Sequence, residues 1–365
     1  MPVNEPSRTF HVSFRLMSVL ACLAGAAMPL HSQARSTSKG GTVERITVHG
    51  RALEGNLSGE SPDRRVTMYL PPSYAAERAR RYPVIYLLHG YSGTDETWTG
   101  RIANIPEIAD RVFGSGAARD MIVVMPDANS IYRGSMYSSS VTSGNWERYI
   151  ADDLVAYVDG HYRTLATRAS RGLAGHSMGG YGTMRIAMKR PDAFASIYSL
   201  SACCLDANLN PSVERLAAAE AIRTKDDVAA AGRGRGFGPL VWLAEAAAWS
   251  PNPKNPPFYF DLPTRDGALR PEIVAKWAAN APLAMLDQHV DHLKELHAIA
   301  ADVGDADTLR ASNEALDRLL TQFDIRHVFA VYEGDHVNHI AQRIEQKVLP
   351  FFSQQLAFDE RQTSR

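Results

Sequence analysis

The sequence predicts an α/β fold: a mostly parallel, doubly wound sheet with antiparallel strands at its N-terminal edge and an inserted, lid-like segment. Three observations carry this. Continuous apolar runs occur at 83–88 and 121–126, as expected for strands covered on both faces, and 195–200 reads as a further parallel strand. Segments with apolar residues at helical spacing separate them, for example Ile150, Leu154, Val155 and Val158. A short apolar run, a glycine-flanked serine and a helix-like segment follow one another at 171–188.

Size and charge bound the rest. The chain has 365 residues, 45% of them hydrophobic, and a formal net charge of -1. That is enough for one large catalytic domain with a substantial core, expected over 35–365. The balanced charge offers no electrostatic footprint for nucleic acid or an anionic membrane. The first 34 residues read as a secretory signal, because Arg8, His11 and Arg15 precede an apolar run at 16–30 and Ser32-Gln33-Ala34 supplies a small-x-small cleavage site. The run is too short and alanine-rich for a stable membrane span. Export to the periplasm or medium is therefore expected. The less favoured reading is a lipoprotein anchored through Cys22, which the apolar run overshoots.

The elements follow in order. Residues 43–48 and 65–70 alternate and are joined by turn material, so they read as antiparallel strands, the second ended by Pro71-Pro72. The strand at 83–88 is followed by a helix at 105–112, the strand at 121–126 by the helix at 150–158, and the strand at 171–175 by its own helix. After the strand at 195–200 the rhythm breaks. Residues 205–282 hold an alanine-rich helix near 213–222, Trp242, Trp249 and a proline-rich stretch. Such excursions form lids, binding loops or self-packed insertions, and this one is expected to add wall to the cleft. Cys203 and Cys204 are neighbours and close no ordinary disulfide loop. A strand at 325–332 and a helix at 340–356, with Pro350 inside it, close the chain.

Chemistry concentrates at Gly175-His176-Ser177-Met178-Gly179-Gly180. G-x-S-x-G arises by chance in about one chain in ten of this length, so the context decides. A serine on a sharp strand-to-helix turn has its Oγ held above the sheet, and the flanking glycines permit the tight backbone. This is the nucleophile elbow of the α/β-hydrolase fold. A serine hydroxyl needs an adjacent base and an orienting carboxylate, in the chain order Ser, Asp or Glu, His. His336, after a strand and a glycine turn, is the expected base, and His339 is its competitor. The acid lies among Asp302, Asp305 and Asp307, between which spacing does not choose. The backbone N–H groups of Met178 and Tyr91 are the expected oxyanion donors. His89 and His176 read as structural. Trp98, Trp146 and Tyr181 are candidates for the substrate pocket. No metal-ligand cluster is visible, and no metal or organic cofactor is expected.

With these pieces assembled, the chain resembles the Putative esterase family, which includes esterase D (S-formylglutathione hydrolase), feruloyl and enterochelin esterases and mycolyltransferases. The matching stretches run from Val66-Thr67-Met68-Tyr69-Leu70-Pro71-Pro72 and Leu87-Leu88-His89-Gly90 through the elbow to Arg190-Pro191-Asp192-Ala193-Phe194, Gly304-Asp305-Ala306-Asp307 and Gly334-Asp335-His336. The resemblance implies Asp307 as the acid, since the family's aspartate follows a glycine turn and precedes an apolar position. It also implies His336 as the base. A serine carboxylic-ester hydrolase working through an acyl-enzyme is expected, on a small-molecule or glycan-linked ester. The rivals are acyl transfer to a sugar or lipid alcohol and a catalytically silent glycan or siderophore binder. The substrate's acyl and alcohol parts and the oligomeric state are not written in these motifs.

Overall fold

The computed structural model describes residues 40–100, 102–233 and 238–359. The proposed signal segment and Cys22 lie outside them. The eight-stranded sheet comprises β1 (Thr42–His49), β2 (Asp63–Leu70), β3 (Val84–Leu88), β4 (Ile122–Pro126), β5 (Arg171–His176), β6 (Ser196–Leu200), β7 (Ala298–Gly304) and β8 (Val328–Tyr332), in spatial order 1-2-4-3-5-6-7-8. β2 runs against both of its neighbours, β1 and β4, and every pairing from β4 to β8 is parallel. The expected mixed sheet is therefore observed.

The sheet is covered on both faces, and the strand sequences show why. All residues of β3, β4 and β6 are buried. Along β3, Val84, Tyr86 and Leu88 enter the core on one face, while Ile85 and Leu87 enter the other. A continuous apolar run thus serves two cores at once. Each such side chain taken from water contributes about 1.5–3 kcal/mol. The first face carries α2 (Val155–His161) and α3 (Met178–Lys189). The second carries α1 (Ile105–Gly114) and the closing helical run that ends in Leu349–Gln355. That closing run widens at Ile344–Val348, just before Pro350. Proline lacks an N–H and crowds the preceding turn, which accounts for the local widening.

The excursion after β6 folds as α4 (Val213–Glu220), α5 (Lys225–Gly232), α6 (Leu240–Trp249), a two-stranded hairpin of Thr264–Arg265 and Ala268–Leu269, and α7 (Pro271–Ala278). α6 is nearly all apolar and inserts into the main core. Polar stitches bind the excursion to the loop after β4: Ser140 Oγ–H donates to the Ala247 carbonyl and Thr142 Oγ1–H to that of Tyr259, both at 2.5 Å. No helix among the described residues is long and apolar enough to cross a membrane.

Candidate active site

β5 delivers Ser177 to the carboxyl edge of the sheet, where loops from several parallel strands converge. The chain reverses there from strand to helix, and Ser177 takes the strained backbone φ 58°, ψ -115°. Non-glycine residues hold such geometry only where the surroundings over-determine it. Two glycines make the turn possible. A Cβ on Gly175 would collide with the Gly179 carbonyl, and one on Gly179 with the Leu88 carbonyl. The elbow is also tied down by backbone bonds: Ser177 N–H donates to the Leu200 carbonyl at 3.0 Å, and Cys203 N–H donates to the Ser177 carbonyl at 3.2 Å.

Three expected residues come together across 159 positions of sequence. Ser177 Oγ–H donates to His336 Nε2 at 3.0 Å, and His336 Nδ1–H donates to Asp307 Oδ2 at 2.8 Å. Asp307 Oδ1 accepts the Leu309 N–H at 2.9 Å, which fixes the carboxylate plane. Burial pushes the Asp307 carboxyl up, but the hydrogen bonds from His336 and Leu309 outweigh it and hold the group below the usual carboxylate range. Asp307 is therefore ionised wherever His336 needs an anionic partner.

The neighbouring aspartates and histidines are placed elsewhere. Asp302 sits inside the sheet, accepting from the Tyr198 hydroxyl and from Arg343 Nε, both at 2.8 Å. Asp305 Oδ1 accepts the Gly334 N–H at 2.9 Å and braces the loop that carries His336. His339 opens onto a separate surface hollow with Glu333, Gln342 and Arg343. His89 is fully buried; Nε2 accepts the Ala128 N–H and Nδ1–H donates to the Gly90 carbonyl, both at 2.8 Å. It ties the turn after β3 to the loop after β4. His176 lies against His336 with ring centroids 4.7 Å apart, and its Nε2–H donates to the His336 carbonyl at 2.7 Å. Burial, helped by repulsion from His336, lowers the His176 ring to about 3, so it stays uncharged beside the base.

The oxyanion side is set by two turns. Met178 is the first residue of α3, and the leading N–H groups of a helix have no acceptor within it. They also lie at the positive end of the helix dipole. The Gly90-Tyr91 turn presses on the nucleophile, since a Cβ on Gly90 would stand 3.3 Å from Ser177 Cβ. Over Ser177 lies a cleft of about 190 Å³, whose walls include Tyr91, Thr97, Ile102, Arg133 and Val337.

Two expectations about this cleft are corrected. Trp98, Trp146 and Tyr181 do not line it; all three are 0% exposed. Trp98 packs with Tyr69 and Ile105 behind the sheet. Trp146 lies edge-on to Tyr149 under the Arg64 guanidinium. The Tyr181 hydroxyl donates to the Asn280 carbonyl within the core. Large aromatic rings gain most from complete burial, and these three take it. Among the described residues, the excursion at 205–282 likewise contributes no wall to this cleft. Sequence reasoning missed Arg133 and Val337. The available signal was their place in loops beyond the carboxyl ends of β4 and β8, the edge where such folds bind ligands. Among the described residues no group of three His, Cys, Asp or Glu could hold a metal ion.

Comparison with known proteins agrees with this architecture. An esterase of Mycobacterium tuberculosis is 36% identical over 137 residues, covering 37% of this chain and 28% of its own length. An endo-1,4-beta-xylanase/feruloyl esterase of Xylanibacter ruminicola is 31% identical over 153 residues, covering 40% of this chain. The match spans only 21% of that enzyme, so both relatives are far longer than the shared stretch. Among solved structures, a ferulic acid esterase superposes with a TM-score of 0.61 at 20% identity, covering 86% of this chain and 98% of its own. An S-formylglutathione hydrolase of Staphylococcus aureus gives a TM-score of 0.56 at 18% identity, over 86% of this chain and all of its own. These structural likenesses establish the α/β-hydrolase fold. A model of the family described as Putative esterase matches residues 61–342, nearly the whole described domain, and the chain is a member of that family of esterases.

Proposed function

We propose that this esterase is an exported serine hydrolase that cleaves small carboxylic esters through an acyl-enzyme on Ser177. The observation that carries the reading is the unbroken hydrogen-bond relay Ser177–His336–Asp307. His336 Nε2 takes the hydroxyl proton as Oγ attacks the ester carbonyl, and later gives it to the leaving alcohol. Asp307 holds the imidazole in the Nδ1–H tautomer and stabilises the imidazolium. The N–H groups of Met178 and Tyr91 receive the developing oxyanion. Water activated by the same His336 then releases the acid and restores Ser177. A silent binding protein has no use for such a relay. Export rests on the leader-like composition of residues 1–34.

The reading is tested with purified mature protein and a short p-nitrophenyl ester. Ser177→Ala lowers turnover by about 10⁶-fold while the circular dichroism spectrum is unchanged. Turnover within tenfold of the wild type in that variant overturns the assignment.

A further inference from the structure

The mechanism above leaves Cys203 and Cys204 unused. They lie in the loop that follows β6, at the carboxyl edge of the sheet. Both side chains are half-buried and carry free thiols. Their sulfurs stand 2.8 Å apart. A bonded pair stands about 2.05 Å apart, so the gap left to close is under about 1 Å. Cys204 also borders a hollow of about 310 Å³ walled by Trp242, Trp249 and Trp277, which gives a small molecule room beside the pair.

The loop is held on either side of the pair. Ser201 N–H donates to the Asp302 carbonyl at 2.8 Å. Asn313 clamps Ala202: its Oδ1 accepts the Ala202 N–H at 3.1 Å, and its Nδ2–H donates to the Ala202 carbonyl at 2.9 Å. Beyond the pair, the Leu205 carbonyl accepts the Leu283 N–H at 3.1 Å. Ser201 and Cys204 both take positive φ, 43° and 57°. Non-glycine residues keep such backbone only where the surroundings fix it. The fixed loop thus holds the two sulfurs together.

The same loop touches the nucleophile. Cys203 N–H donates to the Ser177 carbonyl at 3.2 Å, and Ser177 itself holds φ 58°. Neighbouring Cα atoms are about 3.8 Å apart, inside the usual disulfide span of about 4.4–6.8 Å. A disulfide between adjacent residues is therefore strained and readily reduced. With Ala202 and Leu205 tethered, that strain falls on the Cys203–Cys204 peptide and on the Cys203 N–H that supports the elbow.

We propose that Cys203 and Cys204 form a reversible modification site, a dithiol that reacts with small-molecule disulfides and, once closed to its own disulfide, slows Ser177. Cys203 Sγ, as thiolate, attacks one sulfur of the oxidant RS–SR, forming Cys203–S–SR and expelling RS⁻. The Cys204 thiol then loses its proton and attacks Cys203 Sγ, which forms the Cys203–Cys204 bond and expels the second RS⁻. Both leaving groups take up protons as RSH, so two electrons pass from the cysteine pair to the oxidant. Contact with Cys203 and burial push the Cys204 thiol up, which keeps it as S–H and leaves the first attack to Cys203. Export, proposed above, places the pair where disulfides persist. The effect on Ser177 rests on the serine-esterase reading; the closing of the disulfide does not.

Purified wild-type enzyme is incubated with excess bis(2-hydroxyethyl) disulfide. One portion is alkylated, digested and read by mass spectrometry, and in another the rate of fluorophosphonate labelling of Ser177 is measured. The peptide carrying Cys203 and Cys204 loses two hydrogens and takes up no alkylating agent. Labelling of Ser177 slows about tenfold, and dithiothreitol restores both thiols and rate. In Cys204→Ser the reaction stops at the mixed disulfide on Cys203. A protein with both Cys203→Ser and Cys204→Ser labels at one rate with and without the oxidant. Thiols that stay open to alkylation, a closed disulfide with unslowed labelling, or equal slowing in the double variant overturns the proposal. Reduced wild-type protein that fails to label at Ser177 sinks the serine-esterase reading and the slowing with it. Alkylation still reports on the disulfide in that case, so the two failures are distinguishable.

Discussion

The cleft over Ser177 and the hollow of about 310 Å³ walled by Trp242, Trp249 and Trp277 are built from different materials. Backbone shapes the cleft: a strained serine, two glycines with no room for a Cβ, and turns fastened by main-chain hydrogen bonds. Side chains from the excursion and its neighbouring loops shape the hollow. Backbone geometry of this kind tolerates almost no substitution, whereas a side-chain wall can be rebuilt without disturbing the sheet. The elbow therefore resists change in a way that the hollow's wall does not.

Substitutions at each place sharpen the contrast. On the cleft side the largest effect is expected at Asp307. Asp307→Asn keeps the shape but favours the wrong histidine tautomer, and kcat for a p-nitrophenyl ester falls about 10⁴-fold, ~5.5 kcal/mol of barrier. An effect within tenfold would detach Asp307 from the relay. A smaller loss is expected at Gly179. Gly179→Ala forces a Cβ against the Leu88 carbonyl, and chemical denaturation should show a loss of about 1–3 kcal/mol. An unchanged midpoint would mean that the elbow yields more easily than its geometry implies.

A further effect is expected at Glu245, which lines the hollow, and depends on pH. Folding holds Glu245 protonated up to about pH 8, whereas the unfolded chain releases that proton near the ordinary glutamate value of 4.5. Between those values the folded state binds the extra proton, so Glu245 makes stability fall as pH rises. Its slope is at most about 1.4 kcal/mol per pH unit, and the contribution levels off above pH 8. Thermal unfolding across pH 5–8 should therefore show a shallower decline in Glu245→Gln than in the wild type. Parallel curves would place the Glu245 proton elsewhere.

Much of the fold was legible because its signals are local. An apolar run buried on two faces looks different from an alternating strand, and strand, serine and helix are contiguous at the elbow. The acid was not legible from spacing. Asp302, Asp305 and Asp307 occupy one short segment, and what separates them is the register that buries Asp302 inside β7 and turns Asp305 toward Gly334. Only the family resemblance singled out Asp307, which the structure places on His336. The aromatic wall was misread because burial is a tertiary property. Nothing near Trp98 or Trp146 in the sequence tells a core indole from one facing a ligand. Trp242 and Trp277 were unreadable as a pair, since 35 residues of excursion must fold before they stack.

The central claim is that Ser177 is the activated nucleophile of this esterase. Reaction with a fluorophosphonate, followed by mass spectrometry of the digested protein, tests it most directly. The account predicts one stoichiometric adduct on the peptide carrying Ser177, lost in Ser177→Ala and strongly slowed in a His336→Ala variant. An adduct on another residue, or labelling that proceeds at the wild-type rate without His336, would contradict it.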